Sequence, residues 1–311
     1  MRSALVLCVL AACYHDAVPA PVASAPASAP RVRATPSDPL GYLPVDSEVV
    51  VSLDANQLRA SGLWKALEPV VSAKAGDGLA RLRAQCSVDP LRSIKQVAIG
   101  FKGFEDAAGP SGVVVVRGLD RNVLMACMDR LIEANPRITV ASGVVAVKAV
   151  PGAHPGAFTF ANASTLVVVL GPTASPEQLA AVIQGGSPMR GSPMFVELLG
   201  QIQVRSTAWF ALNGNAKVFD KMSALGFRPA AITGSVVLAN GFTGAVRMRL
   251  DSEDSARKLA ALGQAQLGPA KALADEIALT ADGADVVLRV VMSQGQLEAF
   301  AGIFGAFTAG P

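Results

Sequence analysis

Two histidines, four cysteines and 5% aromatic residues in 311 positions leave little material for chemistry. His15 lies in a proline-rich leader and His154 between Pro151-Gly152 and Pro155-Gly156. One histidine in the folded part excludes a multi-histidine zinc site. His154 has no serine or cysteine partner motif and reads as a loop residue without a role. There is no phosphate-cradling loop, no Gly-x-Ser-x-Gly elbow and no Cys-x-x-Cys. Charge is sparse at 16%, scattered, and sums to +3. That excludes the basic stripe of a nucleic-acid binder. No apolar run reaches the ~20 residues of a membrane-spanning helix. No cofactor is expected, and the body is expected to be non-catalytic.

What the chain has is aliphatic residues, with 51% of positions hydrophobic. With so few aromatics, the core must be built from Val, Leu, Ile and Ala. The other distinctive stretch is the beginning. Arg2 precedes an apolar run from Ala4 to Ala12, which ends in Leu10-Ala11-Ala12-Cys13. A cation, an apolar middle and small residues at the cut form a secretory signal. The last four residues resemble the lipobox of bacterial lipoproteins. The resemblance implies cleavage before Cys13 and a lipid-bearing thioether on its sulfur, with acylation of the new amino group. Residues 1–12 are then a signal peptide, and the membrane is a partner through the anchor on Cys13. One acyl chain binds a membrane marginally and two or more hold firmly, at ~0.8 kcal/mol per buried methylene. In lipoproteins of enteric-type bacteria, aspartate after the cysteine retains the protein in the inner membrane. Tyr14 therefore implies the outer membrane. An ordinary signal peptide cut nearby is the alternative reading.

Residues 13–40 form the tether. Six prolines from Pro19 to Pro39 prevent regular helix or sheet, and the composition suits an extended spacer. With Cys8 lost in the signal and Cys13 lipidated, Cys86 and Cys127 remain as an even pair in an oxidising compartment. Helical spacing puts Cys127 in line with Val123 and Leu131, and Cys86 in line with Leu79 and Leu82. Both thiols point inward. A Cys86–Cys127 disulfide and two inert core thiols are both open on sequence, since spacing cannot place two Cα atoms within bridging reach.

From Glu48 onward, short β-branched runs alternate with amphipathic ones. Strands are expected at Glu48–Leu53, Gln96–Phe101, Val113–Val116 and Thr207–Leu212, and hairpins about Asn240-Gly241 and Asp282-Gly283. Helices are expected after Asp54 and Asp120, from Ser175-Pro176-Glu177, over Asn213–Leu225, and after Ser252 and Ser293. The class is α+β: antiparallel sheets with helices packed on one face. The order of elements repeats, which suggests two diverged copies of a β-α-ββ-α-ββ-α unit. The copies span 47–186 and 205–307, with an extra hairpin in the first, inside domains 41–190 and 191–311. Ile138–Gly143 is read as the match of Ile277–Gly283, and Ser175–Leu179 as the match of Ser293–Leu297. Asp120 and Asp251 each stand between a strand and a helix. Two such sheets would meet at a cleft.

Asp46, Glu48 and Asp54 are expected to cap or solvate a turn. Asp275, Glu276, Asp282 and Asp285 read as solvated hairpin ends without calcium-loop spacing. Asn162-Ala163-Ser164 reads as a turn. The uncharged stretch from Ala299 to Pro311 reads as helix on sheet, or else as an apolar surface. Three functions follow in order. The first is an envelope lipoprotein with a binding or scaffolding body and an envelope protein as partner. The second is a periplasmic carrier of an apolar ligand such as lipid. The third is an enzyme with an unrecognised site.

Overall fold

The computed structural model describes residues 38–133, 137–149, 154–185, 188–223 and 226–299. The signal, Cys13 and most of the tether lie outside them, as does the apolar tail beyond Ala299. In chain order the strands are β1 (Val49–Asp54), β2 (Gln96–Lys102), β3 (Ser111–Arg117), β4 (Ile138–Ala141), β5 (Val144–Val147) and β6 (Gly156–Phe160). They continue with β7 (Thr165–Leu170), β8 (Ala208–Asn213), β9 (Ala231–Val237), β10 (Gly241–Arg249), β11 (Glu276–Asp282) and β12 (Asp285–Ser293). The helices are α1 (Ala55–Ala60), α2 (Gly62–Cys86), α3 (Pro90–Ser93) and α4 (Arg121–Glu133), then α5 (Pro176–Ile183), α6 (Pro193–Gly200), α7 (Val218–Ser223) and α8 (Glu253–Gln266). Residues 294–299 are also helical.

The α+β class with antiparallel strands holds. Where two sheets were expected, however, all twelve strands form one, in the order β11-β12-β10-β9-β8-β1-β2-β3-β7-β6-β5-β4. The seam is β1 against β8, with Val51 opposite Phe210. Pairing these two strands removes two open edges, each a row of unpaired backbone groups. Side chains tie the same seam. Asn213 Nδ2 donates to the Ser47 carbonyl, and Thr207 Oγ1 donates to Gln57 Oε1 at 3.2 Å. Asn213 is thus the buried last residue of β8, not a helix start, and α7 begins only at Val218.

Helices also cover both faces, not one. Val50, Val113, Val115, Val167, Val169 and Ala211 point to one face, here called A. There they meet Leu40 and Leu43, Leu179 of α5, and Phe195 and Leu198 of α6. Val168, Leu166, Phe158 and Phe160 point to the opposite face B, under Leu82 and Cys86 of α2 and Leu124, Cys127 and Met128 of α4. The reason is visible in β7, Thr-Leu-Val-Val-Val-Leu, which is apolar on both sides and so needs cover on both. On α4 the buried stripe is Leu124, Cys127 and Met128, while Val123 is 43% exposed. At the far end of face B, Ala256 and Ala260 of α8 pack on Val286 and Met248.

From the seam outward, β8-β9-β10-β12-β11 repeats the order β1-β2-β3-β7-β6. β4 and β5 have no counterpart. That corrects one residue match: Ile138–Gly143 belongs to the additional hairpin, and β6–β7 is the pair placed like β11–β12. Ser175 and Ser293 do occupy like positions. Ser175 Oγ accepts from Gln178 N at 3.2 Å, and Ser293 N donates to Gln296 Oε1 at 3.1 Å.

Candidate apolar ligand face

Of the carboxylates singled out in the sequence, only Asp282 and Asp285 converge, both on Arg247 Nη1. Asp46 pairs with Lys102. Asp54 Oδ1 accepts from Gln57 N at 2.9 Å and caps α1. Glu276 pairs with Arg289 at 3.3 Å and Asp282 with Arg247 at 3.0 Å. Among the described residues, no group of three His, Cys, Asp or Glu could hold a metal ion. His154 is exposed in its loop and packs against Gly109.

Asp285 departs from its reading as a solvated hairpin end. It is 4% exposed and sits between two arginines, 2.7 Å from Arg247 Nη1 and 2.9 Å from Arg249 Nε. Arg249 also reaches Glu197 on α6, so the network ties sheet to helix. Burial pushes the Asp285 carboxyl up, but hydrogen bonds from Arg249 and then Arg247 outweigh it, and the net shift is downward. A carboxyl lowered in the folded state stabilises above its unfolded pKa of ~4, and that contribution is lost as pH falls through the lower folded value. The structure should therefore lose stability on acidification below about pH 4. Asp285→Asn should flatten that loss and cost about 2 kcal/mol at neutral pH. Urea midpoints of both proteins across the acid range would check this, and parallel curves would rule it out.

Cys86 and Cys127, left open by the sequence, are joined by a disulfide with Cα atoms 5.0 Å apart. The bond fixes the end of α2 to α4. The start of α2 lies far along the sheet, where Gly62 packs directly against the Gln294 amide. α2 thus runs from the C-terminal helix to α4, broken at Gly76, whose backbone is left-handed (φ +51°). Its apolar residues Leu63, Trp64, Leu67, Val70 and Val71 follow the spacing of one helical stripe, yet all are only half-buried.

The two faces of the central sheet differ sharply. On face A, Val50, Ala98 and Ala211 are fully buried. On face B, Val97 and Phe101 of β2 are buried, while Val51, Ile99, Phe210, Leu212, Ile232 and Val236 are half-buried. Register places them side by side: Val51 opposite Ile99 and Phe210, and Leu212 opposite Ile232. None of the three core clusters contains a face-B side chain of β1, β2, β8 or β9. The Phe210 ring lies over Gly234, where a Cβ would overlap it, so the lane stays flat. An aliphatic lane therefore runs between the α2–α4 core and the α8 core. No single strand shows it, because each merely alternates. Only the pairing of β1 with β8 makes it continuous.

Two cavities open on face A, to either side of the 3₁₀ turn Pro39–Tyr42. One, of about 210 Å³, is lined by Tyr42, Ser111, Gln178 and the Asp46–Lys102 pair. The other, of about 370 Å³, is lined by Leu40, Leu199, Val204, Trp209 and the Asp38–Arg190 pair. Their mixed walls suit water or small polar molecules better than a long apolar one. No helix among the described residues is long and apolar enough to cross a membrane.

Fold and site together define an α+β class: one twelve-stranded antiparallel sheet, helices on both faces, and an apolar lane between two cores. No family model matches the chain, and no curated protein matches it. Among solved structures it is similar to the protein TP0453 in its crystal form I, with a TM-score of 0.50 and 11% identity. The likeness covers 86% of this chain and 97% of that one. At that identity it concerns the fold.

Proposed function

We propose that this chain is an envelope lipoprotein, anchored through Cys13, whose body binds an apolar ligand of acyl-chain type along the face-B lane. The lane carries the reading. It gathers aliphatic side chains from four strands, with no ionisable group among them, and leaves them incompletely covered. Apolar surface left partly uncovered marks ligand or partner sites, and apolar walls without specific polar groups suit an acyl chain. Of the three functions open on sequence, the carrier gains most. A scaffolding role remains compatible, and among the described residues the converging charges, Asp282 and Asp285 on Arg247, are held in ion pairs and give an enzymatic reading no support. An outer-membrane address rests on Tyr14, and a diverged duplication rests on the matching strand order.

Two measurements test this separately. Metabolic labelling with a palmitate analogue should mark the wild type and not Cys13→Ala. Label absent from wild type would sink the anchor and leave the lane untouched. For the lane, the full chain carrying Cys13→Ser is titrated with a fluorescent polyene fatty acid. Saturable binding is expected, and Ile232→Asp should weaken it roughly tenfold or more, or about 1.4 kcal/mol. No saturable binding, or equal binding by Ile232→Asp, would overturn the ligand reading.

A further inference from the structure

The sheet has two free edges, and they are unlike. β4 is four residues long. β11 is seven, Glu276-Ile-Ala-Leu-Thr-Ala-Asp282, with four of its residues exposed. It carries neither the lysine nor the proline that commonly blunts an edge. Its counterpart in strand order, β6, is paired with β5; among the described residues β11 has no strand beside it, and its outward Leu279 carbonyl accepts from Gln264 Nε2 of α8 at 2.6 Å, a contact that a pairing strand would displace. A long regular edge of this kind is a template for another strand.

We infer that β11 pairs antiparallel with β11 of a second copy, about a two-fold axis through Ala278. This goes beyond the ligand reading and does not depend on it. Residues directly opposite in an antiparallel pair share a face, so only registers centred on a residue are compatible with both faces of the sheet. Centring on Leu279 sets Glu276 against the partner's Asp282, a like-charge pair, which is destabilising. Centring on Thr280 sets Leu279 against the partner's Ala281 and leaves Ile277 beyond the paired stretch. Centring on Ala278 sets Ile277 against the partner's Leu279, twice, and Glu276 against the partner's Thr280. Ala278 faces its own copy on the axis. Of these three registers it alone joins the larger aliphatic residues and opposes no like charges, and it overlaps five residues where centring on Ile277 would overlap three, while Glu276 keeps Arg289. The contact is isologous and closed, as in most homodimers. It would extend the sheet across both copies.

The full chain carrying Cys8→Ser and Cys13→Ser, whose other two cysteines are bonded to each other, is the sample. Its mass by light scattering should rise with concentration toward twice the chain mass. Ala278→Lys places two lysines on the axis and should hold the protein at the monomer mass. Thr280→Lys faces the partner's Glu276 and should tighten the dimer. Under oxidising conditions Ala278→Cys should cross-link two copies, since directly opposed residues lie ~4.5–5.5 Å apart at Cα, within disulfide reach. Asp282→Cys should not. A constant monomer mass with no selective Ala278→Cys cross-link overturns the proposal. So does a cross-link that favours Asp282→Cys.

Discussion

Replacing both cysteines of the Cys86–Cys127 pair with alanine is expected to cost about 4 kcal/mol. The bridge spans 41 positions of sequence. Closing a loop of that length removes chain entropy from the unfolded state, and the chain-entropy relation gives ~4 kcal/mol at 25 °C. Alanine is chosen because both sulfurs sit in an apolar core, beside Leu82, Leu124 and Met128. A hydroxyl there would add the separate cost of a buried polar group. At ~2–4 °C per kcal/mol for a chain of this size, the midpoint should fall by roughly 10 °C. Calorimetry with and without reductant gives the same comparison on the wild type. An unchanged midpoint under full reduction would show that the bond constrains nothing. Loss of protection should begin in α2, because the Gly76 break leaves its first half without this tie.

The second large effect separates the two faces. Phe195 is fully buried on face A, where α6 seals the sheet. Phe195→Ala removes its packing and leaves a cavity, at about 3–5 kcal/mol. Ile232→Ala, on the half-buried lane, deletes a similar amount of hydrocarbon but removes contacts that are already incomplete. It should cost roughly 1 kcal/mol in the ligand-free protein, well below the ~2–5 of a packed position. Denaturant midpoints would measure both. Equal losses would mean that the lane is packed like a core, which would count against a ligand there. Adding the polyene fatty acid should raise the midpoint of the wild type, since a ligand that binds only the folded state stabilises it by mass action.

Much of the secondary structure was legible because its signals are local. Asp54, Asp120, Ser175 and Ser252 each cap the helix that follows, and a capping oxygen acts within three residues. Helix α7 was overread because Asn213 resembles a cap. Its amide is instead spent on Ser47, 166 positions away in sequence, and no local rule carries that information. Asp285 was underread for the same reason. It stands beside a hairpin glycine, as solvated aspartates do, but its arginines come from β10. Cys86 and Cys127 were legible as inward-pointing, and their pairing was not, because helical phase gives direction without distance.

By itself the sequence determined the α+β class, the antiparallel strands, the helix starts after Asp54, Asp120, Ser175 and Ser252, and the inward phase of the two thiols. Each follows from periodicity or from capping within one turn. The tertiary structure decided that the two halves share one sheet, that β7 is covered on both sides, and that Asp285 is buried. It also decided that Val51, Ile99, Phe210 and Ile232 lie side by side on face B while belonging to no core. The physical reason is that a strand's alternation says which residues share a face, but not which strands will be neighbours or how completely a helix will cover them. Those depend on pairing energies and helix placement summed over segments distant in sequence, such as Ser47 and Asn213, 166 positions apart.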